Sequence, residues 1–107
     1  MRNLPYFRWF PKDAETDEAY TAMSDEELGF YHRCLNYAWI NDGIPADPGE
    51  RARVLRKNRR QADARWTDRV AKRFKPHERR PGYLANTRLE EERSHAERKS
   101  VKATESA

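Results

Sequence analysis

The apolar positions of this chain fall into short stretches with helical spacing, each introduced by a polar cap and closed by glycine or proline. Leu28, Tyr31, Leu35, Ala38 and Trp39 recur at intervals of three and four, the stripe of one amphipathic helix. Ser24 and Glu27 form a capping box ahead of it, with Met23 and Leu28 spaced as a hydrophobic staple. The "NDG" at its end offers Gly43 for the left-handed residue that closes a last turn.

Ile44 follows as a short extended piece. Asp47 then caps a second, short helix with Pro48 in its first position and Glu50 three residues after the cap, running to about Lys57. Asn58 and Gln61 repeat the capping logic and predict a third helix on which Ala62, Trp66, Val70 and Phe74 share one face, with Pro76 ending it. Pro81 and Gly82 mark a turn between a strand over residues 83–87 and a pairing strand just before the turn. The final segment is helix-compatible through about Lys99 and polar beyond it. At the other end, Tyr6, Phe7, Trp9 and Phe10 predict an extended segment docked on the core, then an acidic loop from Asp13 to Glu18.

The predicted class is therefore α+β and mostly helical. Two helices with a tight junction followed by a hairpin is the order of a small winged helix-turn-helix domain, with a short hairpin wing and a C-terminal helix. Residues 1–93 form that domain and residues 94–107 a helical extension or a disordered tail.

Charge sharpens this picture. The chain has 107 residues and a net charge of +4, but the charge is unevenly spread. Lys and Arg stand 4 against 9 Asp and Glu in residues 1–47, 13 against 4 in residues 48–80 and 5 against 5 in residues 81–107, giving −5, +9 and 0. A basic third concentrated at a helix-turn-helix junction selects a polyanionic partner, double-stranded DNA first. In this reading Arg59, Arg60, Gln61 and Arg65 face base edges, on the side of the third helix that also carries Lys72. Arg51, Arg53, Arg56 and Lys57 of the second helix, with Arg79 and Arg80 at the hairpin, hold the backbone. Asp63 pairs with Arg59 or Lys72. The competing reading makes these arginines solvated faces that answer the acidic third, or a surface for protein partners, either a second copy or a host factor.

Other chemistry finds little purchase. Cys34 stands alone within a helical stretch and reads as a buried small hydrophobe. His32, His77 and His95 lie far apart, without Cys or carboxylates at zinc-site spacing, so no metal or other cofactor is expected. Asp13, Glu15, Asp17 and Glu18 lack the companions of a metal-dependent nuclease, and no catalytic triad or phosphate-cradling loop is present, so the protein is not expected to be an enzyme. The start "MRNLPYFRWF" lacks the apolar core of a secretory signal and no run is long enough to cross a bilayer, which predicts a cytoplasmic protein with no membrane partner.

"WFPKD", "MSDEELGFYHRCLNYAW", "GIPAD", Trp66, Phe74 and "GYLANTRLEEE" together resemble a phage-type domain of unknown function found at the N terminus of prophage replication-initiation-like proteins. The resemblance covers about residues 6–93. It implies a winged-helix-like fold and a setting in phage or prophage DNA replication or its regulation, with host or phage replication proteins as further partners. Because the sequence ends soon after the matching stretch, the expected role is stand-alone or accessory.

Overall fold

A computed structural model describes residues 4–106, with side chains described as far as Lys99. Helix α1 (Pro11–Thr16) and the single turn α2 (Glu18–Thr21) precede the long helix α3 (Asp25–Asn41), then strand β1 (Ile44–Pro45). Helices α4 (Pro48–Val54), α5 (Arg59–Arg65) and α6 (Asp68–Ala71) follow, then β2 (Phe74–Pro76), β3 (Tyr83–Asn86) and α7 (Thr87–Ser106). The strands form one antiparallel sheet in the order β1-β3-β2.

Helix α3 is the spine. Its capping box is complete, with Ser24 Oγ accepting from Glu27 N–H at 3.1 Å and Glu27 Oε1 accepting from Ser24 N–H at 2.8 Å. Phe30, Tyr31, Cys34, Leu35, Ala38 and Trp39 bury one face of it, against Ile44, Leu55, Val70, Phe74 and Leu89 from the other elements. The residue that turns left-handed at its end is Asp42, at φ 54°, with Gly43 after it at φ 122°. A Cβ on Gly43 would stand 3.0 Å from the His77 ring and 3.1 Å from the Leu84 carbonyl, so space as well as φ requires glycine there.

The predicted third helix is the main correction. It breaks at Trp66, restarts after Thr67 as α6, and Phe74 lies in β2. Thr67 caps the new helix by backbone and donates its hydroxyl to the Glu27 carboxylate, while Trp66 packs on Phe74 and Phe30. Ala62, Trp66, Val70 and Phe74 still face the core, but from three elements rather than one. Pro76 accordingly ends an edge strand, as Pro45 does on the opposite edge, and neither position demands an N–H from proline inside the sheet.

The Pro81–Gly82 turn forms as expected, with Tyr83 N–H donating to Arg80 carbonyl at 3.1 Å and Gly82 at φ 83°. Strand β3 stops one residue earlier than predicted because Asn86 caps α7, its Oδ1 accepting from Leu89 N–H at 3.1 Å. The acidic stretch after Pro11 is helical rather than a loop, Pro11 opening α1 and Asp17 capping α2. Of the four leading aromatics Phe7 and Trp9 dock on the core, whereas Tyr6 and Phe10 are exposed. Among the described residues no helix is long and apolar enough to cross a membrane.

Candidate nucleic-acid interface

Helices α4 and α5 pack against one another across a four-residue junction. Asp47 starts α4 by accepting from Glu50 N–H at 2.9 Å. Its end is closed by Arg56, left-handed at φ 59°, with Lys57 N–H reaching back to the Ala52 carbonyl at 3.0 Å. An arginine thus occupies a conformation that glycine adopts far more readily. Asn58 and Gln61 then cap α5 reciprocally, at 2.8 and 3.4 Å.

The predicted contacts divide sharply once placed. Arg51 is withdrawn from any ligand surface, because its side chain is buried beneath the junction. Its Nη1 donates to Ala46 carbonyl at 2.9 Å and its guanidinium lies 3.9 Å from the Trp66 ring centre. Burial lowers its pKa from the usual arginine value. Arg80 donates Nη1 to the carbonyls of Asn41 and Asp42, capping α3, and stacks 3.8 Å from the Tyr83 ring centre. Arg79 bridges Asp42 at 3.3 Å and Glu90 at 3.0 Å. The hairpin arginines therefore fasten the hairpin to α3 and α7.

Arg53 pairs with Glu50, and Arg59 with Asp63 at 2.9 Å as the spacing predicted. Gln61 spends its carbonyl on the cap. Lys72 follows α6, so the single helical face projected through Gln61, Arg65 and Lys72 does not exist. Arg56, Arg60 and Lys72 are exposed and Lys57 and Arg65 half-buried, and none of the five meets a carboxylate among the described residues. Four of them, Arg56, Lys57, Arg60 and Arg65, belong to the α4–α5 junction and α5 itself.

A second polar constellation escaped sequence reading. Asp42, His77 and Glu90 converge, their ligand atoms within 4.8 Å of one another. His77 Nδ1 accepts from Arg79 N–H at 3.1 Å, which leaves Nε2 to carry the proton toward Asp42 Oδ1 at 3.2 Å. The same Asp42 oxygen also meets Arg79 and, at 3.4 Å, Arg93 Nε. Burial pushes the Asp42 carboxyl up, but the His77 bond and the Arg93 and Arg79 charges outweigh it and hold its pKa below the usual value. Two hydrogen-bond donors and the nearby Arg93 charge on one oxygen, with no free ring nitrogen, make this a structural ion cluster ill suited to a cation. Only the αL-prone "NDG" hinted at Asp42; its partners stand 35 or more residues away and carried no signal.

The adjoining cleft of about 360 Å³ includes Ser94 beside His77 in its lining, but both histidine nitrogens are engaged elsewhere and none is left to activate the hydroxyl. Cys34 is buried as expected, and burial pushes its thiol up to about 12.

The fold and this surface define a small α+β domain with a three-stranded antiparallel sheet and a basic helix–helix junction. Comparison with protein-family models, with characterised proteins and with solved structures finds no match for the chain.

Proposed function

We propose that this domain binds double-stranded DNA without catalysing a reaction, chiefly through the phosphate backbone. The observation that carries the reading is the α4–α5 junction, where Arg56, Lys57, Arg60 and Arg65 have no carboxylate partner among the described residues while the arginines around them are paired. Arg56 holds its place in a left-handed backbone, a strain that is common where a side chain is needed for function. The element order α3-β1-α4-α5, then the single turn α6 and a hairpin, with sheet order β1-β3-β2, supports a winged-helix arrangement, in which such a helix pair meets the duplex.

Base reading is weakly supported, which narrows the proposal. Arg59 and Gln61, two of the candidate readers, are held by Asp63 and by the cap. Helix α5 has 7 residues, roughly 10 Å of helix, enough to meet one groove edge at its start. The engaged nitrogens of His77 and the buried Cys34 thiol favour a binding role over an enzymatic one. The setting in phage or prophage replication, with replication proteins nearby, rests on the resemblance of the quoted motifs alone.

Titrating a fluorescent duplex with the wild type and an Arg56→Ala/Arg60→Ala/Arg65→Ala variant tests the reading. Binding should be salt-sensitive and lost in the variant while its circular dichroism and unfolding midpoint are kept. Absent binding, or binding the variant retains, overturns it.

A protein-interaction module is the second reading, favoured by one observation. Asp13, Glu15 and Glu18 of α1 and α2 and Asp25 and Glu26 at the start of α3 are all exposed, so acidic side chains are available to complement the basic junction of another copy, and the same junction can grip an acidic host factor. Light scattering across the same salt range discriminates the two, since charge-driven self-association weakens as salt rises.

A further inference from the structure

A small pocket of about 100 Å³ opens between α1, α2, α3, the end of α6 and the start of α7, away from the residues used above. Trp9, Tyr20 and Tyr31 give it aromatic walls, and Arg73 and Arg88 supply its cations. Burial of a guanidinium nitrogen sets these two apart from the exposed or half-buried, unpaired arginines of the α4–α5 junction, whose guanidiniums have no buried atom lacking an acceptor. Arg8, Arg53, Arg59, Arg69, Arg79 and Arg93 each meet a carboxylate, whereas Arg73 and Arg88 meet none among the described residues. The Nε atoms of both are buried without an acceptor; that of Arg93 is too, but it faces the Asp42 carboxylate at 3.4 Å, whereas no carboxylate among the described residues pairs with these two. Arg88 spends one donor, Nη2, on the Arg8 carbonyl at 3.1 Å and rests 4.9 Å from the Trp9 ring centre.

Tyr31 adds a third donor. Its hydroxyl oxygen accepts from Asn86 Nδ2 at 3.3 Å, which leaves the phenolic proton without an acceptor among the described residues. Unsatisfied buried donors cost enough that their convergence calls for a missing acceptor. The two carboxylates in the lining do not fill that role. Asp17 is turned to the backbone N–H groups of Ala19 at 2.8 Å and Tyr20 at 3.3 Å, and Asp13 is exposed and bonds neither arginine.

We infer that this pocket is a binding site for a phosphate-class oxyanion, received by the guanidiniums of Arg73 and Arg88 and the hydroxyl of Tyr31. A tetrahedral oxyanion offers acceptors in several directions at once and pairs with the fixed fork of arginine. Asp13 and Asp17 oppose the charge and keep the site weak and reversible. The inference uses different residues from the duplex reading and stands or falls separately.

The test titrates the full chain with orthophosphate against chloride at matched ionic strength, following arginine Nε–H resonances and the unfolding midpoint. A saturable response at Arg73 and Arg88 is expected. Arg73→Gln should weaken it about tenfold or more, the loss of a charge-assisted contact. Tyr31→Phe keeps the ring and removes the hydroxyl; Asn86 Nδ2 loses that acceptor but keeps the Arg73 carbonyl at 3.0 Å, so the variant should fold, and it should bind more weakly. Asp13→Asn should tighten it. A 5′-phosphorylated hairpin duplex that displaces orthophosphate, when the unphosphorylated hairpin does not, identifies a strand end as the source; failure of both to displace it identifies the free ion. A response no larger than that to chloride, or saturable binding that Arg73→Gln and Tyr31→Phe leave unchanged, overturns the inference.

Discussion

The guanidinium of Arg51 lies 3.9 Å from the centre of the Trp66 ring and donates to the Ala46 carbonyl, so the most basic stretch of the chain is anchored by an arginine that faces inward. The stack joins the middle of α4 to the residue that ends α5. A cation over a desolvated indole contributes about 2 kcal/mol, and the hydrogen bond to the Ala46 carbonyl adds to it.

Arg51→Ala should therefore cost roughly 2–4 kcal/mol of stability by urea denaturation. Duplex affinity of the folded fraction should be unchanged. The opposite pattern, lost affinity at full stability, would return Arg51 to the ligand surface.

Local signals carried most of the architecture. Ser24 with Glu27, Asp47 with Pro48, Asn58 with Gln61, and Pro81 with Gly82 each placed an element end within a few residues, because caps and turns are settled by side chains close in sequence. The break at Trp66 was hidden because the four-residue apolar spacing up to Phe74 continued through it. Thr67 followed by Asp68 is a cap signal, but the Thr67 bond that accompanies the break runs to Glu27, forty residues away. The same limit governs the site. Sequence could count the arginines of residues 48–80, but could not show that Arg51 stacks under the junction, or that Arg79 and Arg80 are spent on Asp42 and the end of α3.

Arg56 provides a test that separates stability from function. Its left-handed backbone at φ 59° costs about 1 kcal/mol relative to glycine. Arg56→Gly should raise the midpoint of chemical unfolding while weakening duplex binding. A variant that is more stable and binds equally well would remove Arg56 from the interface.

The salt dependence of binding reports how many phosphates are engaged. With the four cations of the junction in contact, the slope of log K against log salt should lie near −3 to −4 on B-DNA. Affinities for unrelated duplexes of equal length should agree within about threefold, because phosphate contacts carry no sequence. Strong preference for one sequence would show that Arg59 leaves Asp63 to read a base.

Removing the Thr67–Glu27 bond at the helix break should be felt in stability alone. Thr67→Val keeps the shape but deletes the hydroxyl that Glu27 accepts, leaving a buried carboxylate with Ser24 and Arg69 as its remaining partners. A loss of about 1–2 kcal/mol is expected from denaturant unfolding, with duplex affinity intact. An unchanged midpoint would mean that packing around Trp66 suffices to set the break.

Acid should unfold the domain in two stages whose order follows from the sign of each shift. Burial lowers the His32 pKa, so the unfolded chain takes up that proton first and stability begins to fall below about pH 6.5. The carboxylates act later. Glu27 is held below the usual range by the Ser24 N–H, the Thr67 hydroxyl and Arg69, and Glu92 by its bonds from Arg8. For Asp42, burial works in the other direction and is outweighed by His77, Arg93 and Arg79. A depressed carboxylate contributes its full share above the unfolded value near 4 and loses it as pH falls through the lower folded value. Urea midpoints at pH 7.5, 5.5 and 3.5 should thus show a shallow decline and then a steep one. His32→Phe should abolish the first stage, and Glu27→Gln should shrink the second while lowering stability at neutral pH. A midpoint that rises on acidification would mean that these carboxylates are not stabilised by the partners named.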